Sequence, residues 1–214
     1  GEISLAHRGV LFLDEFPEFP RTVLENLRQP LEDGVVSISR AQGTLKFPAK
    51  FVLVAAMNPC PCGYVTDTER RCTCSAGQIV NYQKKISGPL SDRIDLHVEV
   101  PRVDFEKLAT EGAAEPSESV RKRVQLARDK QLARFEKERI ITNAEMSSEM
   151  VKKYCRVDEK TYQLLRQAVE NMHLSARSYF RILKLARTIA DLKNESNIVY
   201  EDVAEALQYR PKME

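Results

Sequence analysis

Two acidic residues, Asp14 and Glu15, directly follow the apolar run Gly9-Val10-Leu11-Phe12-Leu13. Carboxylates at the end of a buried strand cost free energy unless they serve a metal ion or a reaction. In sites that cleave phosphates, the first such acid orients Mg2+ and its waters, and the second polarises the attacking water. That chemistry assigns Asp14 to the metal and Glu15 to the water. A strand that simply leaves the core through a solvated acidic turn produces the same pattern. Asn58 closes a second apolar run, Phe51 to Ala56. A neutral amide there can hold a water or a phosphate oxygen without adding charge, while an asparagine before Pro59 also suits a plain turn.

The cysteines form a second constellation. Cys60-Pro61-Cys62 and Cys72-Thr73-Cys74 bracket nine residues, and Cys155 stands apart. Four thiolates in two close pairs suit tetrahedral zinc, although structural zinc sites mostly space each pair by two or more residues. Arg70 and Arg71, beside the second pair, would lower the thiol pKa values. A structural zinc site, free thiols and a disulfide are the three readings. A catalytic metal is disfavoured because four protein ligands leave no open position.

Positioning these groups takes a sheet. Val23, Leu24, Leu27 and Leu31 place a helix after the acidic pair, kinked by Pro30 and stopped at Asp33-Gly34. Residues 35–48 alternate as a β-hairpin that turns at Gln42-Gly43. Residues 9–13 and 51–56 are continuous apolar strands of the kind buried on both faces of a parallel sheet. A third, alternating strand is expected over Ile94 to Val100, nearer an edge. Strand, helix and strand in this order indicate an α/β fold, whose ligands bind in the crevice beyond the strands' carboxyl ends.

The second half is helical in spacing almost throughout. Glu111 to Pro116 reads as a linker, and Ser117 can cap the helix after it. The organisation is therefore an α/β core over 1–110, a linker over 111–116 and an all-α domain over 117–214. Thr142 and Glu145 match a capping box. Asp158 opens a helix carrying Leu164, Leu165, Ala168, Val169 and Met172, and Ser175 caps the next, whose core stripe is Ile182, Leu183, Ala186, Ile189 and Ala190. Tyr200 to Tyr209 closes the bundle. His7, His97 and His173 are isolated and receive no role.

Taken in order, these motifs resemble the AAA+ ATPases of the magnesium-chelatase-like kind, including their bacterial competence-protein branch. Gly9 to Glu15 looks like a Walker B strand, and Phe51 to Asn58 like a sensor 1 strand. The hairpin between them matches the pre-sensor 1 hairpin of that clade. Gly88 to Leu96 is similar to its arginine-finger segment, and Ser175 to Leu192 to its sensor 2 helix. The resemblance covers about residues 1 to 210. It implies a partial AAA+ P-loop NTPase core followed by a helical lid, with ATP and Mg2+ as ligands. It also implies that Arg93 reaches a neighbouring subunit's γ-phosphate and that Arg177 is the sensor 2 arginine contacting nucleotide. A finger acting in trans implies a ring, a hexamer by resemblance. Taken singly, either arginine reads as a surface ion pair.

The resemblance has one gap. No Gly-x-x-x-x-Gly-Lys-Ser/Thr run occurs in the 214 residues, and such a loop is what cradles phosphates. The chain begins at Gly1 with a strand close behind, so it reads as an excised piece whose gripping loop lies upstream. Weak or absent ATP hydrolysis is expected of the piece alone, and real hydrolysis of the intact protein.

Bulk charge identifies no partner, since 33 Lys+Arg face 31 Asp+Glu, and any nucleic-acid contact must come from a local patch. Arg40 and Lys46 lie on the hairpin, with Lys50 just after it. In related DNA motors such hairpins line a pore and track phosphates, so the resemblance makes DNA a partner. Residues 121–139 are also basic, with eight Lys/Arg against three Asp/Glu, but a solvated helix face with Val120, Val124 and Ala127 packed inward is the preferred reading. No apolar run approaches the roughly 20 residues of a membrane span, and no secretory layout is present, so a cytoplasmic location is expected. Three functions fit: an ATP-driven motor remodelling DNA, a chelatase-type motor driving metal insertion through a partner, and a non-catalytic assembly module.

Overall fold

The computed structural model of the chain describes residues 1–41, 43–101 and 115–210. They fall into two compact units, one built on Gly1–Ile94 and the other on Asp95–Glu99 with the residues from Glu115 on. The expected 111–116 linker lies mostly outside the described residues.

In the first unit, β1 (Val10–Leu13) and β4 (Val52–Ala55) pair in parallel, Val10 opposite Val52 and Leu13 opposite Ala55. α1 (Glu2–Leu5) precedes β1, and between the two strands run a 3-10 turn at Phe16–Glu18, α2 (Arg21–Asn26), α3 (Arg28–Asp33) and the antiparallel hairpin of β2 (Val35–Arg40) and β3 (Gly43–Pro48). Phe16, Leu24, Leu27 and Leu90 form the core, and Leu11 and Leu13 of β1 pack against it. The anticipated kink is a full break at Leu27. Pro30 has no N–H to offer the carbonyl of Asn26, so the helix ends and restarts. The stop at Gly34 is as expected: its φ of +65° suits a residue without a side chain, and a Cβ there would meet Lys50 Cγ at 2.8 Å.

Two expectations fail here. The strands are covered on one face only, and Val10, Phe12, Val52 and Val54 remain 43 to 62% exposed. Period-two alternation turns these four away from the cluster that holds Leu11 and Leu13, and among the described residues nothing packs over them. Residues 94–100 form no strand. Instead, His97 donates its backbone N–H to Tyr209 O at 2.8 Å, and Asp95 pairs with Arg181, which draws this segment into the helical unit.

The second unit contains α6 (Ser117–Arg134), α7 (Ser148–Tyr154), α8 (Glu159–Asn171), α9 (Ala176–Leu192) and α10 (Tyr200–Gln208); α4 (Ala76–Gln83) and α5 (Gly88–Ser91) complete the first. Asp158 and Ser175 cap as anticipated, accepting the N–H of Thr161 at 2.8 Å and of Ser178 at 3.2 Å. Ser117 does not cap: Pro116 takes that position and Ser117 is the first helical residue. Thr142–Glu145 makes a 3-10 turn rather than a boxed α-helix, with Glu145 accepting from Thr142 Oγ1 at 3.3 Å. Val120 and Val124 are exposed and only Ala127 of that trio is buried, because the first turns of α6 extend beyond the bundle core.

The core joins Leu165, Ile182, Leu183, Ala186, Val203 and Ala206 with Phe135, which meets Tyr154 edge-on at 5.5 Å. Beside it lies a buried polar knot. Asp191, fully buried, accepts from Arg134 Nη2 at 2.5 Å, Arg187 Nε at 3.1 Å and Asn143 Nδ2 at 2.8 Å. Burial alone would raise the Asp191 pKa, but Arg134 and Asn143 hold it below the ordinary aspartate range. A lowered folded-state pKa means this contribution is complete above the unfolded value of about 3.9 and is lost as pH falls through the folded value. Asp191→Asn leaves two arginines without their anion and should cost about 3 kcal/mol or more, measured by denaturant unfolding. Wild-type stability should also drop faster than the variant's on acidification below about pH 4.

Candidate functional site

The parallel register places the carboxyl ends of β1 and β4 side by side, and Phe16 N–H extends the ladder by bonding Ala56 O at 2.9 Å. Asp14 and Glu15 at one strand end therefore neighbour Asn58 at the other, and all three are exposed. Asp14 Oδ1 accepts the backbone N–H of Glu15 at 2.8 Å. Glu15 itself sits at φ 48°, ψ 43°, the left-handed region that a long L side chain avoids at a cost of about 1 to 2 kcal/mol. Strain of this kind persists where surrounding structure over-determines it, commonly at functional sites.

The four cysteines converge. Their sulfurs all lie within 4.8 Å of one another, with Cys60 to Cys62 at 3.5 Å, Cys60 to Cys72 at 3.8 Å and Cys62 to Cys72 at 3.5 Å. Such a group could hold a metal ion. The backbone N–H groups of Tyr64 and Thr73 pull the Cys62 thiol down to about 5, while burial pushes Cys74 up to about 12. A thiolate therefore forms readily at Cys62, while Cys74 holds its proton. Cys155 lies far along the chain in the helical core, its thiol pushed up to about 12 by burial.

A residue the sequence does not flag links this cluster to the acid turn. Tyr82 of α4 is buried, with the backbone N–H of Asn58 near its hydroxyl. Burial, then the charges of Glu18, Cys60 and Glu15, raise its pKa. A tyrosine on a short polar helix carries no signal until the helix is docked. Gln83 Nε2 also approaches Pro59 O at 3.5 Å, and Lys85 pairs with Glu18 at 3.0 Å.

The remaining candidates are dispersed. Arg93 pairs with Glu32 at 2.5 Å and donates to Pro89 O at 2.6 Å, leaving its side chain 11% exposed; Glu32 is a partner the sequence does not announce. Arg177 is the second residue of α9, in the other unit, and exposed. Lys46 is exposed on the hairpin, on the face shared with Ser37, Ser39 and Thr44. Arg40 ends β2. Lys50 follows the hairpin, its stem lying over Gly34.

Residues 1–108 match the family described as Magnesium chelatase, subunit ChlI, and residues 114–210 match Magnesium chelatase, subunit ChlI C-terminal. The chain belongs to the magnesium chelatase ChlI family. Similar relatives include Competence protein ComM of Haemophilus influenzae, 47% identical over 98% of this chain, and the uncharacterized protein YifB of Escherichia coli, 41% identical over the same share. The uncharacterized protein Rv2897c of Mycobacterium tuberculosis is 39% identical over 98% of the chain. The chain spans about 40% of the length of these relatives. ChlI-family chains are AAA+-like, and the mixed α/β unit with its small parallel sheet, followed by helices, fits a partial AAA+ core with a helical C-terminal domain. Among the described residues, no helix is long and apolar enough to cross a membrane.

If the left-handed turn at Glu15 exists to aim the carboxylate, its cost is borne by stability. Glu15→Asn, a residue at ease in that conformation, should leave unfolding stability unchanged or raise it by up to about 1 kcal/mol. A clear loss on chemical denaturation would mean that the Glu15 side chain itself holds the fold.

Proposed function

We propose that this chain is the C-terminal part of a cytoplasmic AAA+ ATPase that couples ATP hydrolysis to remodelling of DNA, as a helicase or branch-migration motor in competence or recombination. The carrying observation is the strained Glu15 beside Asp14 and Asn58 on one exposed sheet edge. In this reading Asp14 binds Mg2+, Glu15 takes a proton from the attacking water, and Asn58 orients that water. Arg177 contacts nucleotide as the sensor 2 arginine. Arg93 stabilises transition-state charge on a neighbour in a ring, a hexamer by analogy with the family, which requires it to exchange Glu32 for phosphate oxygens. The α/β core over 1–110 carries the hydrolytic groups, and the helical domain over 117–214 acts as a lid that moves with turnover.

DNA is supported by the hairpin, where Lys46 shares an exposed face with three hydroxyl side chains, donors suited to phosphate oxygens. Arg40 at the end of β2 adds charge near the turn. The competence name of the Haemophilus influenzae relative points the same way. ATP and Mg2+ are the working ligands, with structural zinc at Cys60, Cys62, Cys72 and Cys74.

In the full-length protein, ATP turnover should rise with branched DNA and fall at least about 100-fold in Glu15→Gln. Lys46→Ala should lose most of the DNA stimulation while keeping basal turnover, with a shallower salt dependence of DNA binding. Undiminished turnover in Glu15→Gln would overturn the assignment of the water-activating group. Turnover indifferent to DNA would favour a motor that drives metal insertion through a partner, in keeping with the chelatase named in the family's description.

A further inference from the structure

We propose that Cys60, Cys62, Cys72 and Cys74 bind one structural Zn2+ ion, and that this ion holds the Asn58 end of β4 against α4. The first argument is metric. Four sulfurs around one zinc at about 2.3 Å must stand about 3.8 Å apart, the edge of the tetrahedron. The measured separations are 3.5, 3.8 and 3.5 Å, with every pair inside 4.8 Å. A polynuclear iron–sulfur centre would spread its cysteines over several metal atoms and hold them farther apart. A disulfide pairs sulfurs two at a time at about 2 Å and does not gather four around a common centre.

The second argument is that neither hydrophobic cluster holds the loop. Residues 59–75 contain neither helix nor strand, and none of them belongs to either hydrophobic cluster. Its order rests on small polar devices. Asp67 Oδ1 accepts from the N–H of Glu69 and of Arg70, each at 2.8 Å, and Arg70 lies 4.0 Å from the centre of the Tyr64 ring. Cys60 is nevertheless fully buried. A segment this poor in apolar contacts needs a cross-link, and a metal supplies one in a reducing compartment. Binding consumes no electrons: four thiols release four protons and the ion takes four thiolates, leaving a net charge of minus two. N–H groups of Tyr64 and Thr73, directed at Cys62, spread part of that charge.

The positional role follows from what flanks the loop. Asn58 is two residues before Cys60, and Ser75, the N-cap of α4, directly follows Cys74. Gly63, at φ +83°, brings the first knuckle over Asn58, so that a Cβ would stand 3.8 Å from Asn58 Oδ1. From the far end of α4, Gln83 Nε2 donates to Pro59 O at 3.5 Å, and the buried Tyr82 hydroxyl lies near the Asn58 backbone N–H. The ion thus ties both ends of a bracket around Asn58; that Asn58 then serves hydrolysis rests on the reading above.

The test is metal analysis of the purified full-length protein, with Co2+ replacement as the optical probe. About one zinc per chain is expected, with the thiolate charge-transfer and tetrahedral d–d bands of an S4 site after replacement. Cys72→Ser/Cys74→Ser should lose the metal and Cys155→Ser should keep it. Substoichiometric metal, iron in place of zinc, weak octahedral cobalt bands, or zinc retained by the double variant would each overturn the site. For the positional role, amide exchange at Asn58 and along α4 should speed at least tenfold on chelation and recover when Zn2+ is restored; unchanged exchange would sink it. Neither readout involves ATP, so a zinc-loaded protein that fails to hydrolyse ATP would defeat the hydrolytic reading and leave the metal site standing.

Discussion

The parallel ladder between β1 and β4 is the constraint from which the candidate site derives. Four residue pairs set the register from Val10–Val52 to Leu13–Ala55, and the bond from Phe16 N–H to Ala56 O carries it one step past the strands. A slip of one residue would turn Leu11 and Leu13 away from the Phe16–Leu24–Leu27–Leu90 core, so the core and the site share a single alignment. Asp14, Glu15 and Asn58 are adjacent because that alignment delivers both strand ends to one edge. The left-handed Glu15 then turns the chain directly into the 3-10 turn that buries Phe16.

The cysteine loop and α4 extend this edge by other means. Between Ala56 and the end of α4 no residue joins the apolar core, and this stretch is organised by sulfur, by backbone N–H donors and by a buried tyrosine. Polar organisation of this kind is specific in direction but small in area. It suits a segment that must place one amide without building a second core.

The helical unit uses the opposite economy. Its apolar core is continuous across four helices, and one of its buried anions, Asp191, is surrounded by Arg134, Arg187 and Asn143. Arg187 further donates to the carbonyls of Ser196 and Glu195, at 2.8 and 2.7 Å, which ties the end of α9 to the turn before α10. The knot offers little gain over an apolar patch of equal volume, but it specifies which helix ends meet.

Local sequence determined the elements whose signals are local. The hairpin alternates with period two, Gly34 stops α3 because only its backbone tolerates the turn, and Asp158 and Ser175 cap because their oxygens reach the third N–H onward. The acidic pair, Asn58 and the two cysteine pairs were visible as residue types at strand ends and in close spacing. Tertiary structure decided what depends on distant partners. Residues 94–100 alternate like a strand, yet the His97 N–H goes to Tyr209 and the Asp95 carboxylate to Arg181. The apolar run of β1 predicts burial on both faces, but burial requires a covering layer that a strand's own residues do not encode. The meeting of Cys60 and Cys62 with Cys72, the hold of Glu32 on Arg93, and the reach of Tyr82 to Asn58 all join positions at least ten residues apart. Sequence spacing constrains neighbours along one element, whereas these contacts exist only once separate elements have packed.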